Sequence, residues 1–321
     1  MAILSAGTSR VEFPQGGVET TAANLSPHCA EGVRFTGATG SNTPAEAWRG
    51  AGQSEIWFSG YVKFSSGAFV INRGFLEFFA IGGETISITA GGGGASVAIR
   101  LRRGNTNLAT SALEVSTGTL YRIDAHLVRS ATTGRLRLWF NGALYIDFTG
   151  NTGAQPTTSV QIFSHGNISP ATDWSGIIVA DEDTRGMEYV QAPLTAEGAL
   201  SEWVGDIGDV SDAGFDDGTF YLSSTPDQRQ TFTKGALPSQ FQNGFDVRAV
   251  CVSARARAEN GALRPMVLSG SDEGFGTETN LSGAFEARQH IFTTDPGTGA
   301  DWTVAGANAA EIGVQSRPFV P

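Results

Sequence analysis

The sequence predicts an all-β protein that consists of two β-sandwich domains. Apolar and polar residues alternate in short segments along most of the 321 residues, whereas the helical period is almost absent. Glycine accounts for 42 residues, and glycines spread between short apolar stretches are typical of turns in all-β proteins. No fixed repeat period is present, which argues against a solenoid or a propeller.

Chain length and local composition predict where the two domains meet. A chain of this length suits two domains, each large enough to bury its own core. The charged stretch 181–186 reads as a loop, and 191–195 contains a rigid proline that suits a linker. We therefore expect domains at 1–193 and 194–321.

In the first half, the clearest signal is the dipeptide Asn141-Gly142, because both residues accept the positive φ angles of a type I′ hairpin turn. The four glycines at 91–94 lack the following helix and lysine of a phosphate-binding loop, so we expect a hairpin tip. Alternation predicts strands at 55–64, 75–80, 85–89, 96–102, 120–129, 135–140, 143–148, 159–164 and 174–180.

The second half shows the same alternation of apolar and polar residues, which predicts strands of its own, and one short helical turn is expected at 305–310. The predicted strands are 219–223, 230–232, 245–256, 264–269, 285–293 and 311–315.

Charge and hydropathy exclude some partners. The chain has 21 Lys and Arg against 32 Asp and Glu, so a broad basic face for nucleic acid is not expected. No apolar stretch approaches the length of a membrane span, and the first residues lack the pattern of a signal peptide. Cys29 and Cys251 fit no metal or redox spacing, and we expect buried free thiols.

The segment 120–149 resembles the central hairpin of concanavalin A-like and laminin-G-like jelly rolls. The matching residues are 121–128, the turn 132–134, and the stretch 135–148 with its Asn-Gly turn. The resemblance extends from Val33 to Val179 and implies a jelly roll for the first domain. Such domains occur in virion proteins of tailed bacteriophages, often appended to tails and fibres.

The C-terminal half resembles a small β-domain of tailed-phage structural proteins, and here the motif is more specific. Matching residues lie at 247–257, 263–270, 290–304 and 307–314, with the Pro-x-Thr-Gly-x-x-Trp-Thr pattern of the family at 296–303. The resemblance implies membership of a virion. Neither resemblance includes an active site.

Histidine and cysteine chemistry is not expected. The four histidines, His28, His126, His165 and His290, have no metal-ligand spacing. We expect His126 to be a surface or interface residue of an alternating strand. His28 and Cys29 are adjacent, so in a strand their side chains point to opposite faces and cannot form a nucleophile and base pair.

Acidic residues offer two weaker hypotheses. A pair of carboxylates could hydrolyse a polysaccharide. The candidates are Asp181, Glu182, Asp183, Asp216 and Asp217, although all of them are better explained as solvated loop residues. A calcium ion could be held by acids of a glycine-rich loop that lacks the order of an EF-hand, namely Asp206, Asp209, Asp212, Asp216 and Asp217. We expect no catalytic residue and no cofactor, and the metal content stays unknown.

Glycan binding is the main alternative function. Jelly rolls present loops at one edge where aromatic side chains can hold a sugar. The candidate aromatic residues of the first domain are each expected to be core or interface residues: Trp48, Trp57, Trp139 and Trp174.

The expected function is that of a structural component of a tailed-bacteriophage particle, as a surface, fibre or tail protein located in the virion. The expected partners are other virion proteins and further copies of this chain, as a trimer or higher homo-oligomer. The alternative is a lectin-like module that binds a host cell-surface glycan, with no nucleic-acid binding and no membrane insertion. A polysaccharide-degrading enzyme is the least favoured hypothesis.

Overall fold

The computed structural model describes residues 2–7, 19–22, 25–26, 28–29, 32–35, 42–65, 68–72, 74–165, 171–210 and 217–320. The chain divides into two compact units, Met1–Tyr189 and Val190–Pro321. Antiparallel strands dominate both units. The predicted fold class is confirmed: all-β, with a jelly roll in the first unit and a smaller β-sandwich in the second.

The strands described in the first unit follow one another with short connections. They are β1 (Ile3–Gly7), β2 (Glu19–Ala22), β3 (Gly32–Phe35), β4 (Asn42–Gln53), β5 (Glu55–Phe64), β6 (Gly74–Ala80), β7 (Thr85–Ala90), β8 (Ser96–Arg103), β9 (Thr106–Ser116), β10 (Leu120–Val128), β11 (Gly134–Phe140), β12 (Ala143–Gly150), β13 (Thr157–His165) and β14 (Thr172–Ala180).

These strands form two antiparallel sheets. Among the described residues, sheet A has eight strands in the order β12-β11-β10-β5-β14-β3-β2, with β1 also paired to β14. Sheet B has six described strands in the order β4-β13-β6-β7-β8-β9. Consecutive residues of a strand point to opposite faces, so each sheet has one face toward the core and one outer face.

The core of the first unit lies between the inner faces of the two sheets. Trp174 of β14 is fully buried and meets Phe58 of β5 edge-on, with 5.9 Å between ring centroids. Phe64 packs in the same way against Phe69 and Phe75, at 4.9 and 5.2 Å. One continuous apolar cluster therefore sets which face of every strand points inward.

The Asn-Gly turn joins β11 to β12 as predicted. Asn141 and Gly142 have φ angles of 48° and 76°, the left-handed conformations that a type I′ turn requires. The Asn141 side chain also accepts a hydrogen bond from the backbone N–H of Arg122 at 2.8 Å. This hairpin is the best-specified local feature of the chain.

A buried arginine ties the two sheets together at one end of the sandwich. Arg129 follows β10 of sheet A, and its guanidinium donates to the carbonyl of Phe78 in sheet B at 2.8 Å. It also donates to the Thr152 carbonyl at 2.9 Å and to the Thr157 hydroxyl at 3.1 Å. Burial lowers the pKa of Arg129 to about 10, and these acceptors compensate for the lost hydration.

The second unit is built around one sheet, sheet C. Its order among the described residues is β15-β16-β24-β18-β19, with β20 paired to β18; β17 pairs with β21, and β22 with β23. Short 3-10 helices lie at Ile207–Asp209 and Ser239–Phe241, and helix α1 spans Val304–Ala309. The strands are β15 (Leu194–Ser201), β16 (Arg229–Lys234), β17 (Val250–Ala256), β18 (Gly261–Ser269), β19 (Asp272–Phe275), β20 (Thr279–Asn280), β21 (Glu286–Phe292), β22 (Thr294–Asp295), β23 (Ala300–Asp301) and β24 (Glu311–Pro318).

The second core joins the β17–β21 pair to sheet C and α1. Val250 of β17, Phe292 of β21 and Val267 of β18 belong to one buried cluster with Trp302. The indole N–H of Trp302 donates to the Phe292 carbonyl at 2.7 Å, so this buried polar group is satisfied. These contacts give the second unit its own core.

Several predicted boundaries in the second half are corrected. The predicted strand 219–223 is wrong, because it contributes only an isolated bridge between Leu222 and Val204. The predicted strand 245–256 begins at Val250 in the structure. A local apolar-polar alternation therefore overpredicts strands where no neighbouring strand supplies hydrogen bonds.

Replacing Arg129 with Met is expected to lower the free energy of unfolding by about 2 kcal/mol or more, because buried carbonyls lose their donor. Urea denaturation of the full chain measures the change. The matched control is Arg135→Met, which removes a half-exposed ion pair with Asp147 and should cost only about 0–1 kcal/mol. Equal losses in the two variants would contradict the role given to Arg129.

Candidate functional site

Part of the outer face of sheet A, over β5 and β10, is covered by the segment 181–189, called here the strap. Thr184 of the strap is fully buried, and its hydroxyl accepts a hydrogen bond from Ser59 at 2.6 Å. Ser59 is also 2.5 Å from Asp124, and Arg122 forms an ion pair with Glu188 at 2.6 Å. Burial and hydrogen bonds thus hold the strap against β5 and β10.

Aromatic rings lie under the strap on this face. Trp57 stacks on His126 with 3.9 Å between centroids and lies parallel to Trp139 at 6.1 Å. The guanidinium of Arg185 lies over both tryptophans, 5.4 and 4.7 Å from their centroids. His126 Nε2 is 2.8 Å from the Glu55 carboxylate. The sequence predicts a surface or interface histidine; at 8% exposure His126 is not on the open surface but is covered within the unit.

The tryptophans do not form an exposed sugar platform. Trp48 and Trp174 belong to the core cluster, and Trp57 and Trp139 are buried beneath Arg185. The prediction that each is a core or interface residue is confirmed for Trp48 and Trp174. A loop-edge site built on these residues is not what the fold presents.

The outer face of sheet B carries an unbroken row of polar side chains, called here the polar rung. Cross-strand pairing places one residue from each of its strands in the row, and all are polar. The apolar neighbours of these residues, such as Val160 and Ile162, point into the core. In order across the sheet, the polar rung consists of Glu46, Gln161, Glu77, Ser87, Arg102 and Asn107.

At the β4 end of the polar rung, hydrogen bonds fix the carboxylate of Glu46. Arg49 binds it through Nε and Nη2, each at 2.7 Å, and Ser159 donates to it at 2.7 Å. Gln161 donates in turn to the Ser159 hydroxyl at 3.3 Å. The hydrogen bonds and charge of Glu46 raise the pKa of Arg49. This end is a preorganised network in which Arg49 itself stays exposed.

In the middle of the polar rung, Glu77 has a different environment. The Ser87 hydroxyl donates to its carboxylate at 3.0 Å, and none of the described Lys, Arg or His side chains forms an ion pair with it. Burial raises the pKa of Glu77 more than the Ser87 hydrogen bond lowers it. Glu77 therefore takes up a proton more readily than a fully solvated glutamate does.

At the β8 end, two arginines lie on the same face without a carboxylate partner among the described residues. Arg100 donates from Nη1 to the side chain of Asn72 at 3.1 Å. Arg102 donates from Nη2 to the Asn105 carbonyl at 3.0 Å. The face thus carries bound negative charge near β4 and available positive charge on β8.

The acids proposed for a catalytic pair are engaged elsewhere. Asp181 accepts the backbone N–H of Ala2 at 2.6 Å, and Asp183 forms an ion pair with Arg185 at 2.5 Å. Asp217 pairs with Arg255 at 2.6 Å. Glu182 lies in the strap beside Asp183, and Asp216 lies outside the described residues.

The proposed calcium loop is described only in part. Asp206 accepts the backbone N–H of Gly208 at 2.9 Å, and Asp209 accepts that of Asp206 at 3.0 Å. These carboxylates cap a 3-10 helix, while Asp212 and Asp216 fall in 211–216, which is not described. Across the residues that are described, no three His, Cys, Asp or Glu side chains come together as a metal site.

None of the described cysteine and histidine side chains belongs to the polar rung. The Cys29 thiol is buried and lies 3.5 Å from the Tyr189 carbonyl oxygen, and the Cys251 thiol is half-buried. His290 packs edge-on against Phe292 at 4.6 Å. The side chain of His165 lies outside the description, although its backbone pairs with Asn42. Among the described residues, no helix is long enough to cross a membrane; helix α1 has only six residues.

Comparisons with known proteins give structural likenesses only. No family model and no curated protein matches the chain. The cellulose induced protein Cip1 is 13% identical over 56% of this chain and 92% of that chain, with a TM-score of 0.42. The alginate lyase Aly36B is 14% identical over 57% and 99%, with a TM-score of 0.37. The carbohydrate binding module CBM66 from Bacillus subtilis is 12% identical over 50% and 91%, at 0.33. Values this low give no information about activity or ligand.

The sequence analysis missed the polar rung because two of its strands were not recognised. β4 carries Glu46, and its pairing with β13 is interrupted by bulges that break the alternation. β9 carries Asn107 and is largely exposed on both faces, so it shows no apolar period. Gln161, Glu77 and Ser87 lie on strands that the sequence does predict, and their polar character was the signal that could have indicated the row.

Replacing Glu77 with Gln should stabilise the fold at neutral pH, because the folded state disfavours the charged carboxylate. Because the pKa of Glu77 is raised in the folded state, the wild-type protein becomes more stable as Glu77 takes up its proton. The difference in free energy of unfolding between the variant and wild type should therefore shrink as the pH falls through the pKa of Glu77. Urea denaturation of both proteins at neutral and mildly acidic pH measures this difference. A variant advantage that grows with acidity would contradict the assignment.

Proposed function

We propose that the first unit binds an extended saccharide on the outer face of sheet B. The single observation that supports this proposal is the polar rung, which crosses the sheet without an apolar interruption. On sheet A the strap covers the outer face over β5 and β10, whereas Arg49 and Asn107 at the two ends of sheet B are exposed.

The chemistry of the polar rung suits sugar hydroxyls, each of which donates and accepts hydrogen bonds. Arg102 and Gln161 supply donors, Glu77 supplies acceptors, and Asn107 supplies both. Several such groups fix a ligand's orientation through directional bonds. A nucleic acid would require a predominantly basic face, and the two glutamates of the rung argue against one.

The dimensions favour a chain of sugars over a single one. Adjacent strands lie about 4.8 Å apart, so a row across six strands extends for roughly 24 Å. An oligosaccharide lying across the strands would meet successive polar side chains at regular intervals. The proposed ligand is therefore a polysaccharide segment or a branched surface glycan.

The arrangement favours binding over hydrolysis. Glycoside hydrolysis of the usual kind requires two carboxyl groups that are free to act on opposite sides of the scissile bond. Glu46 is committed to Arg49 and Ser159, which leaves Glu77 as the uncommitted acid of the polar rung. We therefore propose a lectin-like module, and a reducing-end assay on the bound polysaccharide tests the enzymatic alternative.

Replacing Gln161 with Ala should weaken saccharide binding by about 1 kcal/mol, or roughly fivefold in Kd, through the lost hydrogen bonding of its amide. A glycan array identifies the ligand, and calorimetry on the full chain measures Kd. Gln289→Ala is a matched control, since Gln289 is also a half-buried strand residue that donates to a serine hydroxyl. Binding lost in the control and retained in the Gln161 variant would contradict this location.

We also propose, from the sequence resemblance of the second half, that the chain is part of a tailed-bacteriophage particle. The two proposals are compatible, because a virion surface protein is well placed to contact a host glycan. Mass spectrometry of purified particles from a phage that encodes this sequence should find the chain at a fixed, symmetric copy number. Its absence from particles, with presence in the host lysate, would contradict virion membership.

A further inference from the structure

Thr89 of β7 is a buried polar residue whose hydroxyl has no hydrogen-bond partner among the described residues. Its neighbours Ile88 and Ala90 belong to the core, so alternation places Thr89 on the outer face of sheet B. It is nevertheless only 1% exposed, and its Oγ1 is unsatisfied. Buried hydroxyls without a partner cost about 1–3 kcal/mol, so this position is not explained by stability alone.

Arg100 of β8 is the cross-strand partner of Thr89, and Gly74 of β6 lies on the other side of Thr89. The Arg100 side chain crosses β7 to reach Asn72, which precedes β6 and pairs there with Ala90. Its Nε is buried and has no partner, so one of its five N–H groups is used among the described residues. A second unsatisfied polar group therefore lies beside the first.

Arg102 extends this cation cluster along the same face. It lies two residues after Arg100, about 7 Å farther along the strand. Most other arginines of the unit hold a carboxylate directly: Arg34 pairs with Asp173 at 2.6 Å and Arg122 with Glu188 at 2.6 Å. In a chain with a net charge of −11, two neighbouring arginines that pair with no carboxylate in the described part of the chain are a local excess of positive charge.

We propose that Arg100, Arg102 and Thr89 form a subsite for the carboxylate of an acidic sugar, so that the saccharide ligand is a uronic-acid-containing glycan. This inference rests on the proposed function and adds the ligand's chemical class to it. The planar guanidinium binds a carboxylate through two parallel, charge-assisted hydrogen bonds, and a neutral sugar offers no negative charge to such a pair. Thr89 and Arg100 are cross-strand partners on this face, so in the proposed complex the carboxylate bound by Arg100 also accepts a hydrogen bond from the Thr89 hydroxyl.

The probes are an oligogalacturonate and its methyl ester, which share one backbone and differ in the carboxylate. Calorimetry on the full chain should give wild-type binding to the acid at least about tenfold tighter than to the ester. In Arg100→Gln this preference should fall severalfold, because Arg102 alone remains to bind the carboxylate, while binding of the ester stays unchanged. The control is Arg137→Gln, which removes one positive charge from the outer face of sheet A and should retain the preference.

A second variant, Thr89→Val, separates binding from folding. It replaces an unsatisfied buried hydroxyl with a methyl group, so the protein without ligand should unfold at higher urea concentration than wild type. The same variant should bind the oligogalacturonate more weakly than wild type. A destabilised variant with unchanged affinity would show that the hydroxyl has only a structural role and would overturn its place in the subsite.

The outcomes distinguish this inference from the function on which it rests. Equal wild-type affinity for acid and ester, or a preference that is undiminished in Arg100→Gln, overturns the carboxylate subsite; weaker binding in Gln161→Ala would then still support the saccharide site. Tighter binding of a sulfated galactan than of the oligogalacturonate would mean that the subsite binds a sulfate ester, and this would overturn the proposal of a carboxylate ligand. Failure of wild type to bind any saccharide on the array overturns both.

Discussion

The fold of the first unit depends on the burial of one continuous apolar cluster between sheets A and B. Large side chains from both sheets, such as Phe58, Phe78 and Trp174, are fully excluded from water there. Because side chains alternate along a strand, this burial also determines which residues point outward. A slip of one residue in any strand would exchange the two sets, so the core also maintains the polar rung.

The outer faces of sheets A and B differ in what binds their polar side chains. On sheet A, ion pairs and buried hydroxyls hold the strap over aromatic residues, which satisfies Asp124 and Arg122 within the unit. On sheet B, the buried hydroxyls of Ser87 and Ser159 donate to the carboxylates of Glu77 and Glu46. Unsatisfied polar atoms remain in both sheets, at Thr89 and Arg100 of sheet B and at His126 and Ser175 of sheet A. A protein selected for stability alone would satisfy or remove such groups, and violations of this kind concentrate at functional sites.

Much of the fold could be predicted from the sequence, but the site could not. The strand predicted at 55–64 matches β5 residue for residue, and the Asn141-Gly142 turn has the predicted backbone conformation, because both signals are local. The polar rung depends on β4, whose partner β13 lies more than a hundred residues away in the chain. Local periodicity contains no information about such pairing, and the bulges of β4 hide its alternation. From the sequence, four tryptophans of the first unit are candidate sugar contacts, but in the structure they are buried in the core or beneath Arg185.

The most direct test of the central claim is a crystal structure of the full chain with a bound oligosaccharide chosen from the glycan array. The account predicts sugar rings across the strands of sheet B, with hydroxyls hydrogen-bonded to Gln161 and Glu77. Sugar density confined to the outer face of sheet A, or to the second unit, would contradict it.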